Sequence, residues 1–425
     1  MMDIVAGRLG LDKAEIRFRN FIKPEQMPYT TPVGSVYDGG NYPEALRKAM
    51  ELVEYNKVRK NMREDKEVIG VGLACVVEGG ATNFGFARLW GLEGDYSRGY
   101  ASAAESALVK MLPDASVVVA MGTVPQGQGH ETTAAQIVAD ILGIDVNSIK
   151  VMTGFDSLYH PYSGLGSGTY ASRFSQIGVG ALVGAAGKLR EKILRIAAYR
   201  LEAKPEDLEI AEGVVRHKEN PEHYVTIREI ARIAHNMAGF LPSGEEAGLE
   251  EVHTYHFPYS GSVGDDLRGN LCSSYANLAG AAVVSVDTET GVIKVRRLAI
   301  IHDAGRVVNP LIVEGQVHGA AAHGLAGSLY EAFIYDENGQ LLTSSFMDYL
   351  AITALEMPKL ELEHMETPSP FTPLGAKGCG EGATILLPAL IANAVEDALS
   401  EFNAIIRSSY ITPEMVWRII KRAKE

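Results

Sequence analysis

Apolar residues near the start of the chain recur at helical spacing. Met1, Val5, Leu9, Ala14 and Phe18 are four or five residues apart, with a Gly-Leu-Asp break in the middle of the pattern. An apolar helix rarely opens at the first residue without a cap. We therefore interpret this segment as a helix whose preceding structure lies on another polypeptide, and a frayed N-terminal helix is the alternative.

The period of the apolar pattern changes to that of strands near residue 68. A loop-rich stretch (24–42) and a charged surface helix (43–66) come first. Three β patterns follow, at 68–78, 116–121 and 149–152. Between the second and third lie a glycine-rich turn and a helix at 132–142, so this part predicts a strand–turn–helix–strand unit.

The rest of the chain alternates helical and hairpin patterns. The predicted elements are a helix at 177–199, a small excursion at 205–251 with a turn at 212–213 and a helix at 227–237, a hairpin at 279–303, an apolar helix at 313–332, a second hairpin at 333–348, a helix at 386–401 and a basic amphipathic helix at 413–425.

Composition excludes several classes of protein. The 425 residues carry a net charge of -14, which argues against nucleic acid or an anionic membrane surface as the partner. No apolar run approaches the roughly 18 residues of a membrane span, and the first residues lack the regions of a signal peptide. Cys75, Cys272 and Cys379 are too far apart for a disulfide framework or an iron–sulfur or zinc set. We expect a cytoplasmic protein.

The first candidate site is the sequence VPQGQGHETT at 124–133. A β pattern leads into a turn in which Gly127 and Gly129 flank Gln128, and a helix follows. Backbone N–H groups at a helix start favour an anion such as a phosphate or a cofactor tail. The amide of Gln128 could also bind a heterocycle. An ordinary turn capped by Thr132 is the alternative.

Two further stretches have the same character. In GLGSGTYASRFS (164–175), Thr169, Ala171 and Ser172 follow closely spaced glycines, which allow a ligand to approach the backbone, although a surface loop would look similar. In NPLIVEGQ (309–316), Gln316 lies on the first turn of an apolar helix. His318 and His323 are five residues apart, which is the wrong spacing for a zinc pair on one helical face.

The fourth stretch, PLGAKGCGE (373–381), is the densest in glycine. Lys377 lies among Gly375, Gly378 and Gly380, and the stretch ends on Glu381 just before a long apolar helix. A buried general base could sit at such a position. A glycine-rich connection with a solvated glutamate is the alternative.

In this order, the motifs resemble those of the molybdenum hydroxylases, the xanthine dehydrogenase and aerobic carbon monoxide dehydrogenase family. The resemblance runs from the first helix to about residue 400 and is to the C-terminal part of the molybdopterin-binding subunit. It implies an α+β or mixed α/β fold, with mixed sheets covered by helices, as the second half of a split subunit. We expect residues 1–66 to continue a partner chain's fold, 67–300 to form a molybdopterin-binding domain with the GQG turn, and 301–425 to form a second such region with the catalytic glutamate.

The resemblance also assigns roles to residues. Gln128 would contact the pterin, Ala171 and Ser172 would line its dithiolene and metal end, Gln316 would hold the pterin, and Glu381 would be the base beside molybdenum. The neighbouring cofactor-binding positions would be Gly127, Gly129, Lys377, Gly378 and Gly380. The cofactor would be molybdopterin in its cytosine dinucleotide form, whose dithiolene holds molybdenum without a direct protein ligand.

The implied reaction is the oxidation of a small substrate (an N-heteroaromatic compound, an aldehyde or CO) with water as the oxygen source and Glu381 as general base. A same-family reductase of an aromatic CoA ester and a non-catalytic cofactor-binding scaffold are the alternatives. Because the chain has too few cysteines for clusters, [2Fe-2S] centres and FAD would lie on partner subunits. A second molybdopterin subunit would carry the N-terminal half of the fold, so the chain should be inactive alone.

Two positions depart from the family pattern, and three more are weak candidates for a substrate channel. Ala304 stands where many relatives have cysteine, and Cys379 where valine is common. Tyr159, Tyr162 and Phe371 could line the channel, with core packing as the alternative.

Overall fold

A computed structural model of the chain describes residues 1–82, 90–91, 104–154, 156, 160, 168–258, 261 and 263–425. In chain order, its α-helices are α1 (Met2–Leu9), α2 (Lys13–Asn20), α3 (Tyr42–Leu52), α4 (Tyr55–Val58), α5 (His130–Leu142), α6 (Val179–Arg200), α7 (Ile227–Asn236), α8 (Pro310–Leu329), α9 (Gly382–Ala398) and α10 (Pro413–Lys424). Its strands are β1 (Tyr29–Thr30), β2 (Val36–Tyr37), β3 (Arg63–Glu64), β4 (Glu67–Gly80), β5 (Ala104–Met111), β6 (Val117–Met121), β7 (Ile149–Thr153), β8 (Leu208–Ala211), β9 (Val214–His217), β10 (Tyr224–Thr226), β11 (Glu250–His256), β12 (Ser274–Asp287), β13 (Ile293–Asp303) and β14 (Leu360–Met365).

A five-stranded mixed sheet with the order β14-β13-β12-β4-β3 forms the centre of one half of the molecule. The long strand β12 runs antiparallel to β4 and β13, while β14 joins β13 in parallel. Helices α8 and α9 cover one face and α3 covers the other. Gly70 and Gly72 allow α9 to pack directly on β4, because a Cβ at either position would collide with the helix backbone at Ala394 or Leu390.

A four-stranded sheet with the order β11-β5-β6-β7 forms the centre of the other half. Strands β5 and β6 are antiparallel, whereas β6 and β7 are parallel and are connected through α5. Helices α5 and α6 bury their apolar faces against this sheet. The predicted strand–turn–helix–strand unit is therefore confirmed, as is a fold of mixed sheets covered by helices.

Several predicted elements are present with small shifts at their ends. The N-terminal pattern forms α1 and α2, which meet at Gly10 in a left-handed conformation (φ 65°). The hairpin at 279–303 is β12 and β13, and the basic C-terminal helix is α10. No helix among the described residues has the length and apolarity needed to cross a bilayer.

Other predictions were wrong. The helix predicted at 43–66 ends at Leu52, because Glu54 takes a left-handed conformation (φ 53°) and a short helix and β3 follow. The hairpin predicted at 333–348 forms only one isolated bridge, between Tyr335 and Leu341. Strands β5, β11 and β14 were missed. The domain division stays a prediction, and its boundary after residue 300 falls inside β13.

Candidate functional site

The glycine-rich motifs meet around one cavity of about 270 Å³ that lies between the two halves of the molecule. Its wall includes Gln128 from the GQG turn, Ser172 from the loop before α6, Gln316 from α8 and Glu381 from the start of α9. These residues come from four segments spread over some 250 positions of the chain. The tertiary fold therefore collects motifs that the sequence leaves far apart.

Three α-helices begin at this cavity. The N-cap residues are Gly129 for α5, Asn309 for α8 and Glu381 for α9. Asn309 caps its own helix, since its Oδ1 accepts a hydrogen bond from Ile312 N at 3.0 Å. No side chain of a described residue caps α5 or α9. Free N–H groups and the positive end of the helix dipole at these two starts favour a bound anion.

The GQG turn depends on its glycines. Gly127 and Gly129 both lie in the left-handed region (φ 106° and 67°). A Cβ at Gly129 would lie 2.6 Å from Cδ1 of Ile312 on α8, so any larger residue would displace that side chain in addition to straining the backbone. Between them, Gln128 accepts a hydrogen bond from Gln126 N through its Oε1.

The loop before α6 holds two consecutive strained residues. Ala171 and Ser172 both have positive φ (45° and 52°), a conformation that costs a non-glycine residue about 1–3 kcal/mol. Their carbonyls hold them in place: that of Ala171 accepts from Ala81 N at 2.6 Å, and that of Ser172 accepts from Ser175 Oγ at 2.9 Å. Both residues line the cavity, where such strain is typical of functional sites.

A buried ion pair fixes the residue that follows them. Arg173 and Glu105 are both fully buried, and Nη1 of Arg173 lies 2.7 Å from Oε2 of Glu105. The same carboxylate oxygen accepts a hydrogen bond from Thr123 Oγ1 at 2.7 Å. The strained loop is thereby tied to the ends of β5 and β6.

The GAKGCGE stretch packs against this loop. A Cβ at Gly378 would lie 2.8 Å from Ser172 Oγ, so the two segments touch at this glycine. Lys377 is almost fully buried on the cavity wall, and its Nζ donates to the carbonyl of Gly39 at 3.1 Å. Its ammonium group therefore connects the stretch to the segment before α3.

Glu381 lines the cavity but is exposed, so the prediction of a buried carboxylate at this position is wrong for this chain. A second carboxylate, which the sequence analysis missed, lies close by on β4. Oε2 of Glu78 is buried without a hydrogen-bond partner among the described residues. Burial, and then the charge of Glu381, raises the pKa of Glu78 to about 7. Burial, with a smaller contribution from Glu78, raises the pKa of the Cys379 thiol to about 12.

Two further groups on the wall were not predicted as site residues. His130 stacks on Phe174 with the ring centroids 3.9 Å apart, and its Nε2 lies 2.9 Å from Thr169 Oγ1. Burial lowers the pKa of His130 to about 4, so its ring is neutral at neutral pH. Arg306 is exposed on the wall and has no acidic partner within 4 Å in the described part of the chain. The position of Arg306 close to the Asn-Pro turn is the only sequence signal that could have identified it as a site residue.

Seven of the ten predicted site residues line the cavity, and the other three, Gly127, Gly129 and Gly378, lie in the same segments. Phe371 is half-buried and packs against the small cluster of Ile177 and Phe257. Tyr159, Tyr162 and the first part of the 164–175 motif lie outside the described residues. Among those residues, no group of three or more His, Cys, Asp or Glu side chains could hold a metal ion.

Comparison with known proteins agrees with this geometry. Residues 48–358 match the family described as molybdopterin cofactor-binding domain. The chain is 37% identical to the carbon monoxide dehydrogenase large chain of Afipia carboxidovorans, over 99% of this chain and 49% of the relative. It is 34% identical to the nicotine 6-hydroxylase large subunit of Paenarthrobacter nicotinovorans, with the same coverage.

Solved structures give the same result. The crystal structure of quinoline 2-oxidoreductase from Pseudomonas putida 86 superposes with a TM-score of 0.86 at 34% identity, over 99% of this chain and 51% of that one. The chain thus spans about half the length of the proteins that it matches.

Proposed function

The chain belongs to the molybdopterin cofactor-binding domain family, as the C-terminal part of a molybdenum hydroxylase's molybdenum-binding subunit, and from this premise we propose that it carries half of the active site of a molybdenum-dependent oxidoreductase. One observation carries the proposal. Gln128, Gln316 and Glu381, which belong to three separate motifs, line a single cavity.

The cavity wall fits a pterin with an anionic tail. The uncapped starts of α5 and α9 offer N–H groups to phosphate oxygens, and Arg306 adds a cation without an acidic partner among the described residues. The carboxamides of Gln128 and Gln316 can each donate to and accept from a pterin ring. We propose the cytosine dinucleotide form of molybdopterin, with the metal held by the cofactor's own dithiolene.

The chain's residues have distinct tasks in this proposal. When bound, the cofactor supplies the redox centre that takes electrons from the substrate. Ala171 and Ser172 would line its metal end, the two glutamines would orient the pterin, and Lys377, Gly378 and Gly380 would shape the part of the wall that packs against the loop of Ser172. Glu381 is the general base, which accepts a proton from the water that supplies the oxygen.

The substrate is proposed only as a class. The relatives are named for carbon monoxide, nicotine and quinoline, so a small N-heteroaromatic compound, an aldehyde or CO is the proposed substrate. A reductase of an aromatic CoA ester would need the reverse electron flow through the same site. A cofactor scaffold without chemistry would have no use for a carboxylate at position 381.

The proposal includes partners. A polypeptide with the N-terminal half of the family subunit completes the cavity, and further subunits carry the [2Fe-2S] clusters and FAD. Among the described residues, the three cysteines are free thiols on separate elements. We propose that the complex is cytoplasmic.

The test is an analysis of the complex purified from its native source. We expect about one molybdenum and one CMP, released by acid hydrolysis, per copy of this chain. We also expect substrate-dependent reduction of the FAD and, with an N-heteroaromatic compound or an aldehyde as substrate, incorporation of labelled oxygen from water into the product. The CO2 formed from CO exchanges its oxygens with water, so that substrate gives no label readout. Cofactor without turnover on any substrate class would favour the scaffold, and reduction of an aromatic CoA ester would favour the reductase.

A further inference from the structure

The segment between α8 and β14 is an apolar surface of a different kind from the cavity. We call residues 331–357 the arm. None of them is buried, and eight of them are large apolar side chains that are exposed. These are Phe333, Ile334, Tyr335, Leu342, Phe346, Met347, Leu350 and Leu355. Phe346, Met347 and Leu355 keep 87%, 89% and 93% of their accessible surface, which a folded chain rarely leaves in water without a reason.

The arm is held to the described part of the chain by few interactions. Its backbone hydrogen bonds join residues of the arm to one another or to the end of α8. Its side-chain hydrogen bonds are local as well, such as Thr353 with Glu356. Among the contacts that the structure describes, only those of Ile352 and Met357 join the arm to the core of the five-stranded sheet. The arm therefore has the features of a segment whose stabilising contacts come from outside the described part of the chain.

The charge of the arm indicates which kind of surface covers it. The arm carries five acids (Glu331, Asp336, Glu337, Asp348 and Glu356) and no lysine, arginine or histidine. A second copy of this chain would bring the same acidic arm and a net charge of -14. Because like charges oppose such a contact, the complementary surface should be an apolar groove with basic residues on its rim.

The comparison with known proteins indicates which polypeptide covers the arm. The chain spans about half the length of its relatives, and the matched half of a carbon monoxide dehydrogenase structure covers 100% of this chain, the arm included. The other half of such a subunit is therefore the candidate occupant of the arm. The arm's 27 residues are also close to the roughly 20–30 residues that one partner contributes to a stable interface.

We propose that the arm is the docking surface for the N-terminal half of the molybdopterin-binding subunit, which receives Phe346, Met347 and Leu355 in a groove with a basic rim. This inference rests on the proposed function, because it supposes that a complementary half exists. The arm connects α8, which carries Gln316, to the strand that precedes the GAKGCGE stretch.

The test is co-expression of tagged chain with the polypeptide that carries the N-terminal half. Phe346→Asp and Leu355→Asp should each reduce its recovery at least about tenfold, since a charge would enter an apolar groove. Both side chains are exposed, so the variants should fold with unchanged circular dichroism. Phe240→Asp is the matched control, because Phe240 is 55% exposed on a separate part of the chain.

Hydrogen exchange gives a second measurement. Amides of the arm should exchange fast in the isolated chain and become protected in the complex. The proposal is overturned if both aspartate variants retain the N-terminal half, or if they lose only the FAD or iron–sulfur subunit. Loss of the half from the aspartate variants, when the intact wild-type complex itself holds no molybdenum, would support the arm and contradict the proposed function, so the two failures are distinguishable.

Discussion

Glu78 and Glu381 are two carboxylates that share the N-terminal end of α9. Oε2 of Glu78 lies 3.0 Å from the position that a Cβ on Gly382 would take, and the charge of Glu381 helps to raise the pKa of Glu78. Only Glu381 lines the cavity. The pair therefore divides into an exposed carboxylate that can meet a substrate and a more buried one behind it.

Replacing Glu381, the exposed carboxylate of the pair, tests its role directly. Glu381→Gln should keep the molybdenum and CMP content of the complex and lower turnover by about 10² or more, because an amide cannot accept the proton. Metal analysis and steady-state kinetics on the same preparation would measure both. Loss of molybdenum with normal turnover per bound metal would instead give Glu381 a structural role.

Glu78, the more buried carboxylate of the pair, should affect the pH dependence of stability. Because the pKa of Glu78 is raised from 4.5 to about 7 in the folded chain, the folded state holds a proton that the unfolded state releases between these values. The free energy of unfolding should therefore decrease as pH rises from about 4.5 to 7. Two titratable groups lie near Glu78. The charge of Glu381 helps to raise the pKa of Glu78, and the thiol of Cys379 stays protonated throughout this pH range.

Glu78→Gln should remove that decrease. Denaturant unfolding of the complex at several pH values between about 4.5 and 8 would compare the variant with the wild type, so that all other titrating groups cancel. We expect the variant to gain stability relative to the wild type toward pH 8 and to match it near pH 4.5. If the difference in the free energy of unfolding between the variant and the wild type is constant across this pH range, the raised pKa of Glu78 is contradicted.

The elements that could be predicted from the sequence are those whose apolar pattern is buried within this chain. Strands β4, β6, β12 and β13 are apolar runs next to turn signals, and α5 follows its glycine turn, so local sequence and tertiary packing agree. Strand β5 was missed because its pattern contains Glu105, which is fully buried. Its partner Arg173 lies 68 residues away, so only the folded chain explains a charge in that strand.

Two other failures share a physical cause. The Asn-Gly turn at 338–339 predicts a hairpin, but its flanking apolar residues are exposed and have no surface among the described residues to pack against, and the strands do not form. Glu381 is exposed for a related reason, since its cover would have to come from outside the described residues. Side chains whose packing depends on residues outside the described part of the chain cannot be placed from the local sequence pattern.

The buried pair beneath the strained loop should be essential for stability. Glu105→Gln removes the negative charge that lies 2.7 Å from the buried guanidinium of Arg173, which should cost about 3–5 kcal/mol in the free energy of unfolding. The exposed pair of Arg418 and Glu414 is the control, and Glu414→Gln should change stability little. Denaturant titration would measure both. Adding Arg173→Met to Glu105→Gln should recover part of the loss, and no recovery would contradict a desolvation origin.

The contact between Gly378 and Ser172 tests whether the two loops form one wall. Gly378→Ala places a methyl group 2.8 Å from Ser172 Oγ and 2.9 Å from its Cβ. Ser172 cannot easily move, because its backbone is already strained and its carbonyl is hydrogen-bonded. We therefore expect the variant to fold but to lose molybdenum and CMP several-fold, measured per purified complex.

Two companion variants make that result specific. Gly187→Ala on α6 has no atom within 4 Å of the new methyl group and should keep the full cofactor content. Ser172→Gly removes the atoms that collide with the methyl group introduced at position 378 and suits the positive φ of residue 172, so Gly378→Ala with Ser172→Gly should regain cofactor. If the double variant stays empty, or if Gly378→Ala alone keeps its cofactor, the two loops do not shape the binding wall together. Recovery in the double variant would instead show that the clearance between these two residues sets how tightly the cofactor is held.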